Sequence, residues 1–329
     1  MPGKRADITG RNPSGHRKRQ DRMLKTLTPE PMRILHTVAD LRHVVRAWKQ
    51  DGLTVGLVPT MGALHDGHLS LVRAAQQEMD RVIVSIFVNP TQFDNPADLD
   101  SYPQTLDEDS RLLADAGTHI LYAPTVAEMY PPGFSTTISV AGVSEGLCGA
   151  HRPGHFDGVA TVVCKLFLQS QADAAFFGEK DFQQVHVVRR MAADLDIPIR
   201  LVACPTRRED DGLAMSSRNR RLTAPGERDR ARALPRALGD AARDIAAGRP
   251  VGPVLAATRT RLLDAGFAEI EYLELRRDSD LAPMAQRDDQ PARLLVAGRL
   301  GTVRLIDNVP VAGEEEPGPA RAGKGLGTP

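Results

Sequence analysis

The sequence predicts an α/β chain, with a parallel sheet covered by helices on both faces and a smaller α+β domain after it. Three observations carry this expectation. Between residue 32 and about residue 205, short apolar runs alternate with stretches of helical periodicity, the pattern of successive βαβ units. Beyond about residue 205, arginine- and alanine-rich helical stretches precede a group of strand-like runs, which is the order of an α+β domain. The chain has 329 residues and 41% hydrophobic content, enough to fill one large core and a smaller companion.

The elements follow in order. Val38, Leu41, Val45 and Trp48 recur at helical spacing, and Leu53 to Val58 is a short apolar run closed by Pro59, as a buried parallel strand is. Leu69, Val72 and Ala75 continue as a helix, Val82 to Val88 form a second buried strand, and a helix over Leu106 to Ala116 leads into a strand at His119 to Tyr122. Helices over Val159 to Leu168 and Gln183 to Leu195 flank a strand at Ala174 to Phe177, and Ile199 to Ala203 is one more strand. Helical stretches at 225 to 247 and 253 to 265 then precede strands at 269 to 276, 293 to 298 and 302 to 306. Ligands of a parallel sheet of this kind belong at the carboxyl ends of its strands. No repeat with a period of 20 to 50 residues is visible, which argues against a solenoid.

Charge and composition narrow the partners. Lysine plus arginine (42) balance aspartate plus glutamate (42), so the molecule has no large field to draw it to nucleic acid or to a membrane, and a small-molecule partner is favoured. No run approaches the roughly 18 apolar residues that span a bilayer, and the N-terminus lacks the apolar core of a secretory signal. Cys148, Cys164 and Cys204 are an odd number without metal-ligand spacing, so neither a disulfide framework nor a zinc site is expected, and a reducing cytoplasm fits. Residues 1–31, basic and without apolar periodicity, read as a disordered leader, and residues 313–329 as a disordered tail. The larger domain is expected over residues 32–206 and the smaller one over 207–312.

Five segments carry chemistry. In the first, Pro59-Thr60-Met61-Gly62-Ala63-Leu64-His65-Asp66-Gly67-His68 leaves the first strand and opens a helix. A helix N-terminus offers unpaired N–H groups to an anion, glycine admits close approach of phosphate, and two imidazoles three residues apart can converge on one phosphate. A lone histidine there would be an ordinary turn or cap residue, whereas H-x-G-H at a strand-to-helix junction is specific. The second segment, Phe177-Gly178-Glu179-Lys180-Asp181-Phe182-Gln183-Gln184, also follows a buried strand. Lys180 supplies a mobile cation there, although taken alone the segment reads equally as a turn with a solvated charged run.

The third segment, Met215-Ser216-Ser217-Arg218-Asn219, brings hydroxyls and a guanidinium that could close over a departing pyrophosphate; a polar surface loop is the plainer alternative. In the fourth, Phe87-Val88-Asn89-Pro90-Thr91-Gln92-Phe93, amides could read the hydroxyls or carboxylate of a small organic acid. The fifth, Arg152-Pro153-Gly154-His155-Phe156-Asp157-Gly158, is either a cation near a second substrate or simply a turn.

In this order and spacing these segments resemble the pantothenate synthetase family, the pantoate-beta-alanine ligases. The resemblance spans residues 32–311 and includes PTMGALHDGH, VSIFVNPTQF, SYPQTLDED, RPGHFDGV, FFGEKDFQQVHVVRRM, DGLAMSSRNRRLT and VRLIDN. It implies a Rossmann-type, doubly wound parallel sheet of the HIGH-motif nucleotidyltransferase kind, a smaller α+β C-terminal domain acting as a lid, and a homodimer. It further implies a two-step reaction in which the carboxylate of D-pantoate attacks the α-phosphorus of ATP, and the amine of β-alanine then displaces AMP from pantoyl adenylate.

The roles that the resemblance implies can be placed residue by residue. Met61, Gly62, Ala63, Leu64, His65, Asp66, Gly67 and His68 contact ATP, with His68 the residue the family assigns as proton donor. An imidazole that only donates a hydrogen bond could stabilise the same charge. Gly178, Glu179, Lys180 and Asp181 hold ribose and phosphates, and Met215, Ser216, Ser217 and Arg218 cover the β- and γ-phosphates. Gln92 and Gln184 hold pantoate, with Asn89, Tyr102 and Arg152 as further substrate contacts and Asp109 placing Mg²⁺. Three positions depart from the family pattern. Thr91 stands where many members carry methionine, which would loosen packing near pantoate. Cys148 occupies a position that alternates between glutamate and cysteine. Arg207 stands where the family is commonly apolar, so that any contact with ATP there would be through backbone.

Other readings compete. A cytidylyltransferase-like enzyme shares H-x-G-H but is usually smaller and lacks FGEKDFQQ. An aminoacyl-tRNA synthetase combines a similar turn with a serine-rich loop but needs an anticodon domain and basic character, and a non-catalytic nucleotide sensor would keep the phosphate cradle without turnover.

Overall fold

The computed structural model describes residues 31–94, 96–100 and 102–311. The expected tail, and the expected leader up to residue 30, lie outside the described residues. The described residues begin with the three-residue strand β1 (Arg33–Leu35) and helix α1 (Val38–Gln50), which is capped by Thr37 accepting from the Asp40 amide. Then come β2 (Val55–Thr60), α2 (Asp66–Glu78) and β3 (Arg81–Ile86), the short α3 (Pro96–Asp100), α4 (Leu106–Asp115), β4 (Ile120–Tyr122), α5 (Val126–Met129), α6 (Leu147–His151) and α7 (His155–Ser170). The larger sheet closes with β5 (Ala174–Gly178), α8 (Phe182–Asp194) and β6 (Arg200–Cys204).

The six strands lie in the order β1-β4-β3-β2-β5-β6, every pair parallel. This is the doubly wound, Rossmann-like sheet the sequence predicts. β2 sits between β3 and β5, with Gly56 and Leu57 in register with Ala174 and Ala175. The loops leaving the carboxyl ends of β2 and β5 diverge toward opposite sides of the sheet, opening the crevice in which such sheets bind ligands. Helix α7 is buried around nearly its whole circumference, as a helix inside a core must be. β1 escapes sequence reading because three residues are too few to show a period.

The second part contains α9 (Glu227–Ala231), α10 (Ala233–Ala246), α11 (Val251–Asp264) and the antiparallel strands β7 (Glu269–Arg277), β8 (Ala292–Leu300) and β9 (Val303–Val311). The single helix expected over 225 to 247 is broken after Ala231. Pro235 has no N–H to donate and its ring would clash with the carbonyl four residues back, so it is accommodated only in the first turn of a new helix. On β8, Leu294 and Val296 pack with the α10 face formed by Leu234, Ala237, Leu238, Ala241 and Ile245, whereas Leu295 and Ala297 join the core of the larger domain. Period-two alternation therefore divides one strand between two cores. The smaller unit shares its hydrophobic contact with the larger one, and this seam shapes the site.

Candidate active site

At the end of β2 the chain turns through two successive left-handed residues, Gly62 (φ 83°) and Ala63 (φ 50°). The turn is held from behind by Asp109 of α4, whose carboxylate accepts from the amides of Ala63 at 2.9 Å and Leu64 at 2.8 Å and from the Thr105 hydroxyl at 3.0 Å. A Cβ on Gly62 would lie 3.0 Å from Asp109 Oδ2 and 3.1 Å from the Ile86 side chain, so this turn tolerates little but glycine. Asp109 is only 1% exposed and does not line the cavity. It therefore departs from the expected role of placing Mg²⁺, since its oxygens are engaged by backbone. The same contacts occupy the Ala63 and Leu64 N–H groups, so the direct contacts with ATP expected of these two residues would have to use other atoms.

The turn delivers His65 to the N-cap of α2, where its Nδ1 accepts from the Gly67 amide at 3.2 Å. This hydrogen bond fixes the tautomer and leaves the Nε2 hydrogen for a ligand. His68 stands one turn further on, with ring centroids 4.0 Å apart, and its Nδ1 is buried with no partner among the described residues. Burial first, then Lys180 and Arg220, lower His65 to about 4. Burial, then His65 and Lys180, lower His68 to about 3. Burial thus favours the neutral form of both imidazoles near pH 7 in the absence of an anion, a form that can still donate a hydrogen bond.

Across the crevice, Glu179–Asp181 form one 3₁₀ turn between β5 and α8. The Lys180 ammonium is 3.6 Å from the Asp181 carboxylate, and only 18% of its side chain is exposed. Burial alone would raise the Asp181 carboxyl, but Lys180 and then Arg218 hold it below its ordinary value. The Met215–Arg218 segment closes the third side. Ser216 caps the 3₁₀ turn Ser217–Arg221, accepting from the Arg218 amide. Arg218 and Arg221 each reach Asp98 of α3 at 2.9 Å, and Arg220 donates to the Leu64 carbonyl at 3.4 Å. Asn219, buried beneath, donates to Glu209 and to the Ala214 carbonyl.

The acid-reading end is built on the turn after β3. Gln92 is 8% exposed, and its side chain bridges Asn89 (3.1 Å) and Met61 Sδ (3.1 Å). Asn89, expected as a substrate contact, is instead spent on protein. It donates to Gln92 and to the Gly158 carbonyl, and accepts from Thr91 and from the Tyr130 hydroxyl at 2.8 Å. It aims Gln92 and does not line the cavity. Thr91 is exposed and directs its hydroxyl to Asn89, so it joins this network. Tyr102 and Ser217 both line the cavity, and burial raises the Tyr102 phenol above its ordinary value. Arg152 pairs with Asp94 at 3.1 Å, donates to the Gln92 carbonyl, and donates to His155 Nε2 at 3.1 Å. His155 Nδ1 must then carry the hydrogen that meets the Gln92 carbonyl at 2.9 Å, in keeping with its lowering, by burial and Arg152, to about 4.

Met61, His65, Gly67, His68, Gln92, Tyr102, Arg152, Gly178, Lys180, Asp181, Gln184, Arg207 and Met215–Arg218 all line one cavity of about 220 Å³. A second hollow of about 320 Å³ toward the smaller domain shares the Arg152, His155, Lys180, Asp181, Gln184, Ser216 and Arg218 walls. Gly62, Ala63, Leu64, Asp66, Glu179, Asn89 and Asp109 stand outside both linings; Asp66 is exposed in the first turn of α2. Sequence reasoning gave no role to Asp98, His155, Arg208, Asp307 or Asn308. His155, Asp307 and Asn308 at least lie within RPGHFDGV and VRLIDN, whereas Asp98 and Arg208 lie in none of the motifs and carried no signal. At the seam, Cys148 Sγ lies 3.1 Å from the Tyr272 hydroxyl and 3.5 Å from an Arg304 nitrogen.

A parallel sheet with paired histidines, a lysine turn and a Ser-Ser-Arg loop at its switch point is the site of an enzyme that acts on a nucleoside triphosphate. Residues 33–310 match the model of the pantoate-beta-alanine ligase family, and the chain belongs to that family. It is 64% identical over 279 residues to the pantothenate synthetase of Chelativorans sp. strain BNC1, covering 85% of this chain and 98% of that protein. It is 58% identical to that of Cereibacter sphaeroides strain ATCC 17029, covering 84% and 99%. Among solved structures, pantothenate synthetase from Thermus thermophilus superposes with a TM-score of 0.80 at 45% identity, covering 85% of this chain and 99% of that one. The ligase from Francisella tularensis, complexed with beta-gamma ATP and beta-alanine, gives 0.68 at 32% identity, covering 85% and 98%. The chain is an ATP-dependent ligase that condenses D-pantoate with β-alanine through pantoyl adenylate, giving pantothenate, AMP and pyrophosphate.

Proposed function

We propose the following division of labour among the residues of this ligase. Gln92 and Gln184 hold pantoate, each with an amide that can donate to a carboxylate and accept from a hydroxyl. The pantoate carboxylate oxygen bonds to the α-phosphorus of ATP while the bond to the bridging oxygen of the β-phosphate breaks, and pyrophosphate leaves with both electrons. His65 and His68 donate hydrogen bonds to the phosphate oxygens on one side, with Lys180 opposite. Ser216, Ser217 and Arg218 close over the leaving pyrophosphate. The amine of β-alanine then forms a bond to the acyl carbon, AMP departs with the pair of the broken acyl–phosphate bond, and the amine loses a proton to water. Closure of the Met215–Arg218 segment keeps water from the adenylate until the amine arrives.

A single observation carries this reading: three loops that are separate in the chain, bearing His65 and His68, Lys180, and Arg218, face one cavity together with Gln92 and Gln184. Mg²⁺ would sit among the phosphate oxygens and neutralise their charge. Of the carboxylates, Asp181 lines the cavity beside Lys180 and is the residue that would reach the ion directly or through water. No group of three metal-binding side chains is gathered among the described residues, which suits an ion held mainly by phosphate. The proposal includes a homodimer in the cytoplasm, acting on pantoate, β-alanine and ATP and on neither nucleic acid nor membrane. Among the described residues no helix is long and apolar enough to cross a membrane. The experiment is a two-stage turnover assay. Pyrophosphate release should require pantoate but not β-alanine, and AMP release should require both; pyrophosphate release indifferent to pantoate would refute the assignment.

A further inference from the structure

The Lys180 turn is tied to the smaller domain through one side chain. The amide nitrogen of Asn308, on β9, donates to the carbonyls of Glu179 at 2.9 Å and Lys180 at 3.0 Å. An amide NH₂ carries two hydrogens, enough for both. Its orientation is set by its other end, because Asn308 Oδ1 accepts from Arg293 at 2.7 Å and a flipped amide would set donor against donor. Arg293 is itself held on three sides. It pairs with Asp278 at 2.8 Å, lies 3.8 Å from the Glu179 carboxylate, and has its guanidinium carbon 3.9 Å from the centroid of the Phe182 ring, the first residue of α8. Asn308 is 4% exposed, so these bonds face little competition from water.

The preceding residue ties down the other arm. Arg208 forks onto the Asp307 carboxylate at 2.8 and 3.0 Å, and Asp307 Oδ1 also accepts from the backbone N–H of Asn308 at 2.8 Å. Arg208 is bridged to Ala214, and the Arg207 carbonyl accepts from Met215, so this fork fixes the base from which Met215–Arg218 extends. Two adjacent residues of β9 therefore hold both cationic arms of the phosphate cavity, though neither needs to touch a substrate.

We propose that Asn308 is a positioning residue for Lys180. It sets the height of the turn that carries the ammonium and links that height to the seating of the smaller domain. The proposal rests on Lys180 serving the triphosphate. Displacement of a cation by about 1 Å can cost on the order of 100-fold in rate, whereas a merely structural residue would lower stability and leave turnover per folded molecule alone.

The test is a double-mutant cycle of Asn308→Ala and Lys180→Ala on the full chain, read as pantoate-dependent pyrophosphate release per folded molecule. In the chain with Lys180 intact, Asn308→Ala should lower kcat about 10- to 100-fold with KM for pantoate changed less than about twofold. In the Lys180→Ala background it should cost less than about threefold, because the group it positions is gone. Asn308→Asp is isosteric, keeps a partner for Arg293 and loses both donors. It should repeat the result, and it carries the cycle alone if the alanine variant does not fold. Equal losses in both backgrounds, or full kcat in Asn308→Asp, would overturn the positioning role and leave the phosphate assignment standing. Full activity in Lys180→Ala would overturn both.

Discussion

Arg218 Nη2 lies 2.9 Å from Asp98 Oδ2 while Arg221 Nη1 lies 2.9 Å from Asp98 Oδ1, so one carboxylate of α3 pins the Ser-Ser-Arg loop over the cavity. The partners are only about one-quarter to one-third exposed, yet partly exposed pairs contribute modestly, about 0.2 to 1 kcal/mol each. Asp98→Asn should accordingly free the loop without dismantling the site. In limited trypsin digestion the variant should be cut faster at Arg218, Arg220 or Arg221, and ATP with pantoate should restore protection. Cleavage at the wild-type rate would show that the loop is held elsewhere.

Asp109 answers to a different readout. Asp109→Ala leaves the buried amides of Ala63 and Leu64 without acceptors, each costing about 1 to 3 kcal/mol. Urea unfolding should show a total loss of about 2 to 6 kcal/mol, and adenylation should fall with the displaced turn. The Mg²⁺ concentration giving half-maximal rate should stay where it is in the wild type. A large rightward shift in that midpoint would restore Asp109 to the metal.

For His68, loss of one transition-state donor costs about 3 to 4 kcal/mol. His68→Ala should slow adenylate formation by a few orders of magnitude with the fold intact. Because the ring is neutral in the ligand-free protein, a neutral donor can replace part of its function: His68→Asn or His68→Gln should recover at least tenfold over alanine. No recovery by either would favour a proton-transfer role.

Acid stability follows from the same burial. His65, His68 and His155 have values of about 4, 3 and 4 in the fold against 6.5 for an ordinary histidine. These pKa values are depressed by folding, so the unfolded chain takes up protons that the native chain refuses. Their contribution is whole above pH 6.5 and is lost as the pH falls through the window from 6.5 toward 4. The slope is at most about 1.4 kcal/mol per pH unit for each group, and less for His65, which is partly exposed. Urea midpoints between pH 7.5 and 5 should decline, and His155→Gln should flatten the decline. A flat profile in the wild type would mean these imidazoles charge freely in the native state.

The sequence alone determined the alternation of strands and helices, the change of architecture near residue 205, and the gathering of H-x-G-H, Lys180 and Ser216–Arg218 around one sheet edge. Hydrophobic period and glycine-bearing turns are local properties, and a parallel sheet places the ends of its strands together whatever fills the connections. Only the tertiary structure decided which polar residues face the ligand and which support those that do. Asn89 and Asp109 look like substrate and metal groups in the chain, yet their hydrogen bonds are spent on Tyr130, Gln92 and the Ala63 and Leu64 amides. Asn308 is separated from Lys180 by 128 positions in the chain and shares no period with it. Whether a polar group meets solvent, substrate or another part of the chain depends on partners distant in sequence, and neither residue type nor spacing encodes that pairing.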